Sequence, residues 1–122
     1  MSKQTPTIKL ARVYDLPKSA KGYRVLVDRL WPRGVKKEDL KLDDWLKEIA
    51  PSDKLRKWFD HDVDKWDEFR ERYKKELEAN RNLIASLLET AEKQSVMLLY
   101  AAKDEEHNNA VVLKEFLEQT RK

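Results

Sequence analysis

Two short apolar runs constrain this chain most. Tyr23-Arg-Val-Leu-Val-Asp28 and Ser95-Val-Met-Leu-Leu-Tyr-Ala101 each hold a contiguous core of branched and aliphatic residues. A strand reads this way when both of its faces are covered, as in a parallel sheet packed by helices. The long excursion between them, residues 35–94, carries helical periodicity and suits a crossover between parallel strands. A third run, Ile8-Lys-Leu-Ala-Arg-Val13, alternates like a short strand. The expected fold is therefore α/β: a small single domain with a short, mostly parallel sheet packed by several helices. A long helical crossover joins its second and last strands. The domain is expected to span residues 1–122, with residues 1–6 as a flexible tail. The link between the first two strands is too short to fix their relative direction.

The excursion divides at its punctuation. Leu42, Trp45, Leu46 and Ile49 fall on one face of a helix that Pro51 closes. Ser52 or Asp53 caps a short helix bearing Leu55, Trp58 and Phe59. Asp64 is the expected cap of a longer helical stretch. There Trp66, Phe69, Tyr73 and Leu77 form a stripe, continued by Ile84, Leu87, Leu88 and Ala91, with Asn80 marking a kink or break. Pro17 to Gly22 reads as a loop, and residues 108–119 as a final helix with Val112, Leu113, Phe116 and Leu117 inward.

Composition removes several functional classes. The 122 residues include no cysteine, which excludes a disulfide framework, a thiolate metal site and a cysteine nucleophile, and which fits a reducing cytoplasm. The start, MSKQTPTIKL, lacks the apolar core of a signal peptide, and the run from Val96 to Ala102 is far too short to cross a bilayer. Two glycines leave no room for a Walker loop or a dinucleotide fingerprint, and serine hydrolase motifs are absent. No cofactor and no metal are expected. Asp60-His-Asp-Val-Asp64 offers carboxylates around His61 as a metal site would, but it holds a single histidine between two helices, where capping acids belong. Charge is uneven: residues 1–42 carry 11 Lys/Arg against 4 Asp/Glu, and the remainder carries 15 against 19. A basic front end attracts phosphates, nucleic acid or acidic ligands.

The chemistry concentrates where the two apolar runs end. In open parallel sheets, ligands bind beyond the carboxyl ends of the strands. The first run delivers Asp28, Arg29, Trp31 and Arg33; the second delivers Lys103, Asp104, Glu105, Glu106, His107, Asn108 and Asn109. Arg29 and Arg33 are suited to clamp a carboxylate or phosphate. Histidine is the side-chain type suited to proton transfer near neutrality, so His107, with Asp28 and Asp104, makes the acid/base set. Lys103, Asn108, Asn109 and Trp31 complete the candidate ligand contacts. Each has a plainer role available: Asp28 as an arginine's ion-pair partner, Asn108 as a helix cap, Trp31 as packing.

These residues also carry a resemblance. "RVYD", "GYRVLVDRLWPRG", "WLKEIAPSDKLRKWFDHD", "WDEFRERYKKEL" and "LLYAAKDEEHNNAVVLKEFL" resemble the YeaO-like proteins of the family called domain of unknown function 488, from about Ile8 to Leu117. The resemblance implies the same two strand-end segments as the site, but brings no assigned reaction with it. In longer relatives of this type an aspartate and arginine follow one strand, and a Cys-His-Arg element follows a late strand. Here that second element stands as His107-Asn-Asn-Ala110, without cysteine. Some proteins of this type are labelled as MarR-like regulators; the recognition helix and hairpin wing of a winged helix–turn–helix are not found here.

Three readings follow. The first is a cytoplasmic protein that binds an anionic, phosphate- or nucleotide-like small ligand, with acid/base catalysis left open. The second is a nucleic-acid-associated or regulatory protein using the basic front end. The third is a non-catalytic interaction module presenting exposed parts of Trp31, Trp45, Trp58 or Trp66. No membrane partner is expected, and the oligomeric state is open.

Overall fold

A computed structural model describes residues 7–16 and 22–121. The expected tail at residues 1–6 and most of the Pro17–Gly22 loop lie outside the described residues. Four strands form one sheet in the order β1-β4-β2-β3, with every neighbouring pair parallel: β1 (Ile8–Arg12), β2 (Tyr23–Leu26), β3 (Asp44–Trp45) and β4 (Val96–Tyr100). The direction left open by the sequence is thereby resolved: β1 and β2 run the same way, with β4 between them. All five β4 residues are buried, as the apolar run requires of a central strand.

The sheet's faces are unequally dressed. Val25, Val27, Val96, Leu98 and Tyr100 point to one face, under α2 (Asp53–Phe59), α3 (Trp66–Ala79), α4 (Arg81–Lys93) and α5 (Asn109–Thr120). Leu26, Met97 and Leu99 point to the other, where a thinner layer of Val13, Trp31, Val35, Leu42 and Trp45 joins α1 (Lys37–Leu40). Arg24 shares that second face and is buried, donating to the Leu40 carbonyl at 2.8 Å. Its bond ties the end of α1 to β2.

One expected helix is replaced by a strand. Leu42, Trp45, Leu46 and Ile49 do not share a face. Leu42 and Trp45 pack beneath the sheet, whereas Leu46 and Ile49 pack among the helices above it. The segment runs along β2 as β3, then closes in a single 3-10 turn, Lys47–Ile49. The physical reason is the free edge of β2. Its backbone groups are paired by Asp43 N–H to Arg24 O at 2.9 Å and Leu46 N–H to Leu26 O at 3.0 Å, while the Asp43 carboxylate accepts from Arg24 N–H at 2.8 Å. Satisfying a buried edge outweighs local helix periodicity.

The remaining punctuation is close to expectation. Ser52, rather than Asp53, caps α2 by accepting from Leu55 N–H at 3.2 Å, and its own N–H and hydroxyl are tied to Glu76 of α3. Asp62, not Asp64, accepts from the Asp64 N–H, ahead of the single 3-10 turn that leads into α3. Asn80 does break the long helix, separating α3 from α4. Its amide donates to the Glu48 carbonyl at 3.1 Å. Phe69, Tyr73 and Leu77, then Ile84, Leu87 and Ala91, are buried as the stripe required. Between α3 and α5, Arg70 and Lys74 both reach Glu115; burial works to raise that carboxyl's pKa, but the two cations outweigh it and hold it below the usual range. At the amino end of the sheet, Gly22 has φ of 125°, and a Cβ there would stand 3.0 Å from the Ser95 carbonyl oxygen, so only glycine lets β2 start this close to β4.

Candidate functional site

β2 and β4 are adjacent and parallel, so their carboxyl ends open on the same edge. Two segments leave there, residues 27–35 and 101–108. Between them lies a crevice of about 640 Å3, within the usual size of a small-molecule site. Its lining includes Asp28, Arg29, Trp31 and Arg33 from the first segment, and Lys103, Asp104, His107, Asn108 and Asn109 from the second and the start of α5, whereas Glu105 and Glu106 are exposed and outside it.

Asp28 links the segments. Its Oδ2 accepts from the Ala101 N–H at 2.9 Å, and its own carbonyl accepts from the Trp45 indole at 2.8 Å. Burial raises the pKa of its carboxyl; the Ala101 bond, Asn109 and the Arg56 charge partly oppose this. Asn109 also donates to the Val27 carbonyl at 2.9 Å, which pins α5 to the end of β2.

The arginines differ. Arg29 leans back onto the segment before α2, donating to the carbonyls of Ala50 and Pro51 at 3.4 Å each and lying 3.8 Å from Asp53. Arg33 is exposed, and its backbone is held by the Tyr14 hydroxyl, which donates to its carbonyl at 2.9 Å. Among the described residues neither the Arg33 guanidinium nor the Lys103 ammonium has a protein acceptor. Trp31 packs edge-on against Trp45 with ring centroids 5.3 Å apart, and its indole donates to the Val35 carbonyl at 2.7 Å. Trp31 thus behaves as packing that forms one wall. All four tryptophans are half-buried. Trp58 is further covered by Arg72, 4.4 Å from its ring centre.

The second segment is organised by Asp104. Its Oδ1 accepts from the N–H groups of Glu106 and His107 at 2.9 and 3.0 Å, and its Oδ2 meets His107 Nδ1 at 2.9 Å. The Glu106 bond leads, against a desolvation cost, and with the His107 contacts holds this carboxyl below its usual pKa. The pair leaves Nε2 as the remaining ring nitrogen of His107, whose ring stands edge-on to Trp66 with centroids 5.1 Å apart. Asn108 is buried and fully used: it caps α5 by accepting from Val111 N–H at 3.1 Å and donates to the Asp104 carbonyl at 2.9 Å. Its plainer role, helix capping, is what the geometry carries.

Other lining residues were not singled out for this edge. Arg56, Phe59 and His61 come from the end of α2, Phe69 from α3, and Ala50 and Pro51 from the turn before α2. Arg56 and Phe59 stand three apart and share a helical face, a signal that becomes useful once the end of α2 is known to reach the crevice. His61 belongs here rather than to a metal cluster: its ring lies 6.4 Å from that of Phe59, and no group of three or more acidic or histidine side chains among the described residues is placed to hold a metal.

Comparison with known proteins decides the family. A family model described as the inactive DUF488-N3 subclade matches residues 7–122. The chain belongs to this family. The uncharacterized protein YeaO of Escherichia coli (strain K12) is 49% identical over 110 residues, covering 90% of this chain and 96% of that protein. The uncharacterized proteins Rv3073c of Mycobacterium tuberculosis (strain ATCC 25618 / H37Rv) and Mb3100c of Mycobacterium bovis (strain ATCC BAA-935 / AF2122/97) are each 37% identical over 110 residues, covering 90% of this chain and 92% of each of them. No solved structure matches this DUF488 chain significantly. No helix among the described residues is long and apolar enough to cross a membrane.

Proposed function

We propose that the protein binds an anionic small molecule, phosphate-bearing or nucleotide-like, in the crevice at the carboxyl edge of its sheet. The observation that carries this reading is the charge that lines a single crevice. Four cationic side chains, Arg29, Arg33, Arg56 and Lys103, line it against two carboxyls, Asp28 and Asp104. Arg33 and Lys103 supply the uncommitted donors, while Arg29 shapes the wall.

Binding without turnover is the form we favour. The matched subclade is described as inactive, and the chain has no cysteine at the position where longer relatives of this type carry a Cys-His-Arg element. The Asp104–His107 pair then orients a hydrogen-bonding imidazole toward the ligand rather than driving a proton transfer. A cysteine-free chain also suits a reducing cytoplasm, where we place it.

The test is a thermal-shift screen at low and moderate salt with phosphate, nucleotides, polyphosphates, dicarboxylates and short single- and double-stranded nucleic acids. A ligand at 100 times its dissociation constant adds about 2.7 kcal/mol of stability. A phosphoester or nucleotide hit that disappears in a folded Arg33→Ala protein is the expected result. A flat response to every small molecule, with salt-sensitive stabilisation by nucleic acid, would overturn it in favour of a nucleic-acid partner.

A further inference from the structure

The crevice is polarised from lip to floor. Its exposed lining residues include Leu30, Arg33, Arg56, His61 and Lys103, so its uncommitted positive charge lies at the lip. Its buried lining residues include Pro32, Ala50, Pro51, Phe59 and Phe69, which form an apolar floor. Phe59 and Phe69 stack there with centroids 4.3 Å apart, and Trp66 continues the stack at 5.7 Å from Phe69. The acidic side chain farthest from solvent in this lining is Asp28, held by the Ala101 N–H.

We infer that the crevice takes its ligand ring first, so that its ligand class is a ring-bearing anion with one acidic end, an aryl or heteroaryl phosphate or carboxylate. This rests on the anion-site reading above and narrows it. A free phosphate or a polyphosphate satisfies the lip but leaves the apolar floor wet. A ligand with an acidic group at each end must drive one of them across the apolar floor toward Asp28, which costs both desolvation and repulsion. A flat ring covers the floor, meets aromatic faces and edges, and leaves its acidic end at Arg33 and Lys103. Asp28 then accepts from any N–H or O–H that the ring carries.

Three probes separate this from simple anion binding: inorganic phosphate, pyrophosphate and phenyl phosphate, titrated calorimetrically into the unaltered protein. Phenyl phosphate is expected to bind at least about tenfold more tightly than either of the others, the gain from burying one ring. Ala102→Leu, which adds bulk to the crevice wall, should weaken phenyl phosphate while leaving inorganic phosphate unchanged. Phosphate or pyrophosphate binding as tightly as phenyl phosphate overturns this inference and leaves the anion site standing. Failure of all three to bind overturns this inference, and joined to a flat response to nucleotides and dicarboxylates it overturns the anion site as well. The probe series on the unaltered protein decides the matter even where Ala102→Leu fails to fold.

Discussion

The two segments that leave the carboxyl edge of the sheet are built on opposite plans. The one after β4 is organised from within. Asp104 accepts from residues two and three further along, and Asn108 closes the turn against the Asp104 carbonyl while capping α5. The one after β2 is organised from outside. Beyond the local bond from the Trp31 indole to the Val35 carbonyl, its anchors are Tyr14, Trp45, Ala50, Pro51 and Ala101, all remote in sequence. A locally bonded turn folds and fails by itself, whereas a remotely anchored one inherits the rigidity of everything it touches. Two bonds couple the two sides: Ala101 N–H to Asp28, and the Asn109 amide at the start of α5 to the Val27 carbonyl. The difference teaches that the crevice has a fixed, self-templated half and a half that the rest of the fold holds in place.

The largest effect should come from the self-organised side. Asn108→Ala removes the α5 cap and the bond to the Asp104 carbonyl at a buried position. The expected loss is about 1–2 kcal/mol, read as a shift in the urea midpoint at constant slope. Asn108→Ser keeps a capping oxygen and should recover part of that loss. A loss below about 0.5 kcal/mol, the range of an ordinary surface substitution, would show that the second segment also depends on remote anchors.

The same division explains what could be read before the structure was known. The apolar runs that became β2 and β4, the parallel crossover and the position of Asn108 as a cap all follow from neighbours in sequence. β3 does not. The spacing of Leu42, Trp45, Leu46 and Ile49 fits a helix, and only the unpaired edge of β2 makes it a strand whose side chains divide between two faces. Likewise the nine candidate residues could be assigned to one edge from the rule for parallel sheets. The approach of the α2 end, which brings Arg56, Phe59 and His61, could not, because it depends on Ser52 being tied to Glu76 of α3. The aromatic floor is thus a product of helix packing, which no local pattern announces.

An intermediate effect should come from the link between the two halves, and it should depend on pH. Burial raises the pKa of Asp28 in the folded chain above the ordinary 3.8, while the unfolded chain ionises near that ordinary value. Between the two values the folded protein holds the extra proton, so stability falls as pH rises through that window. Asp28→Asn keeps an oxygen to accept from Ala101 N–H and has no proton to lose. The variant and the parent should therefore differ little below the ordinary value. The variant should gain as pH rises and reach a constant advantage above the raised value, as is common when a costly site residue is neutralised. Denaturation midpoints across a pH series read this directly. A variant that loses stability at neutral pH would mean that the ionised carboxylate, rather than its shape, joins the segments.

The smallest effect on stability and the clearest on binding should come from the two uncommitted cations, one from each segment. Arg33 and Lys103 are both exposed, and neither has a protein acceptor among the described residues, so replacing either by alanine should change stability by less than about 0.5 kcal/mol. They should not contribute equally to an anion. The backbone of Arg33 is fixed by Tyr14, and a guanidinium offers a planar fork that matches two oxygens of a phosphate or carboxylate. Lys103 offers a hydrated point charge on a flexible stem. Arg33→Ala should weaken phenyl phosphate about tenfold, equivalent to about 1.4 kcal/mol. Lys103→Ala should cost about threefold, and it should lose more of its effect as salt is added, because a mobile, solvated charge is screened more than a bidentate contact. Arg33→Lys is the sharper variant, since it keeps the charge and removes the fork. Recovery of full affinity in Arg33→Lys would make the lip a field of positive charge; persistent weakness would make the first segment the one that grips the ligand.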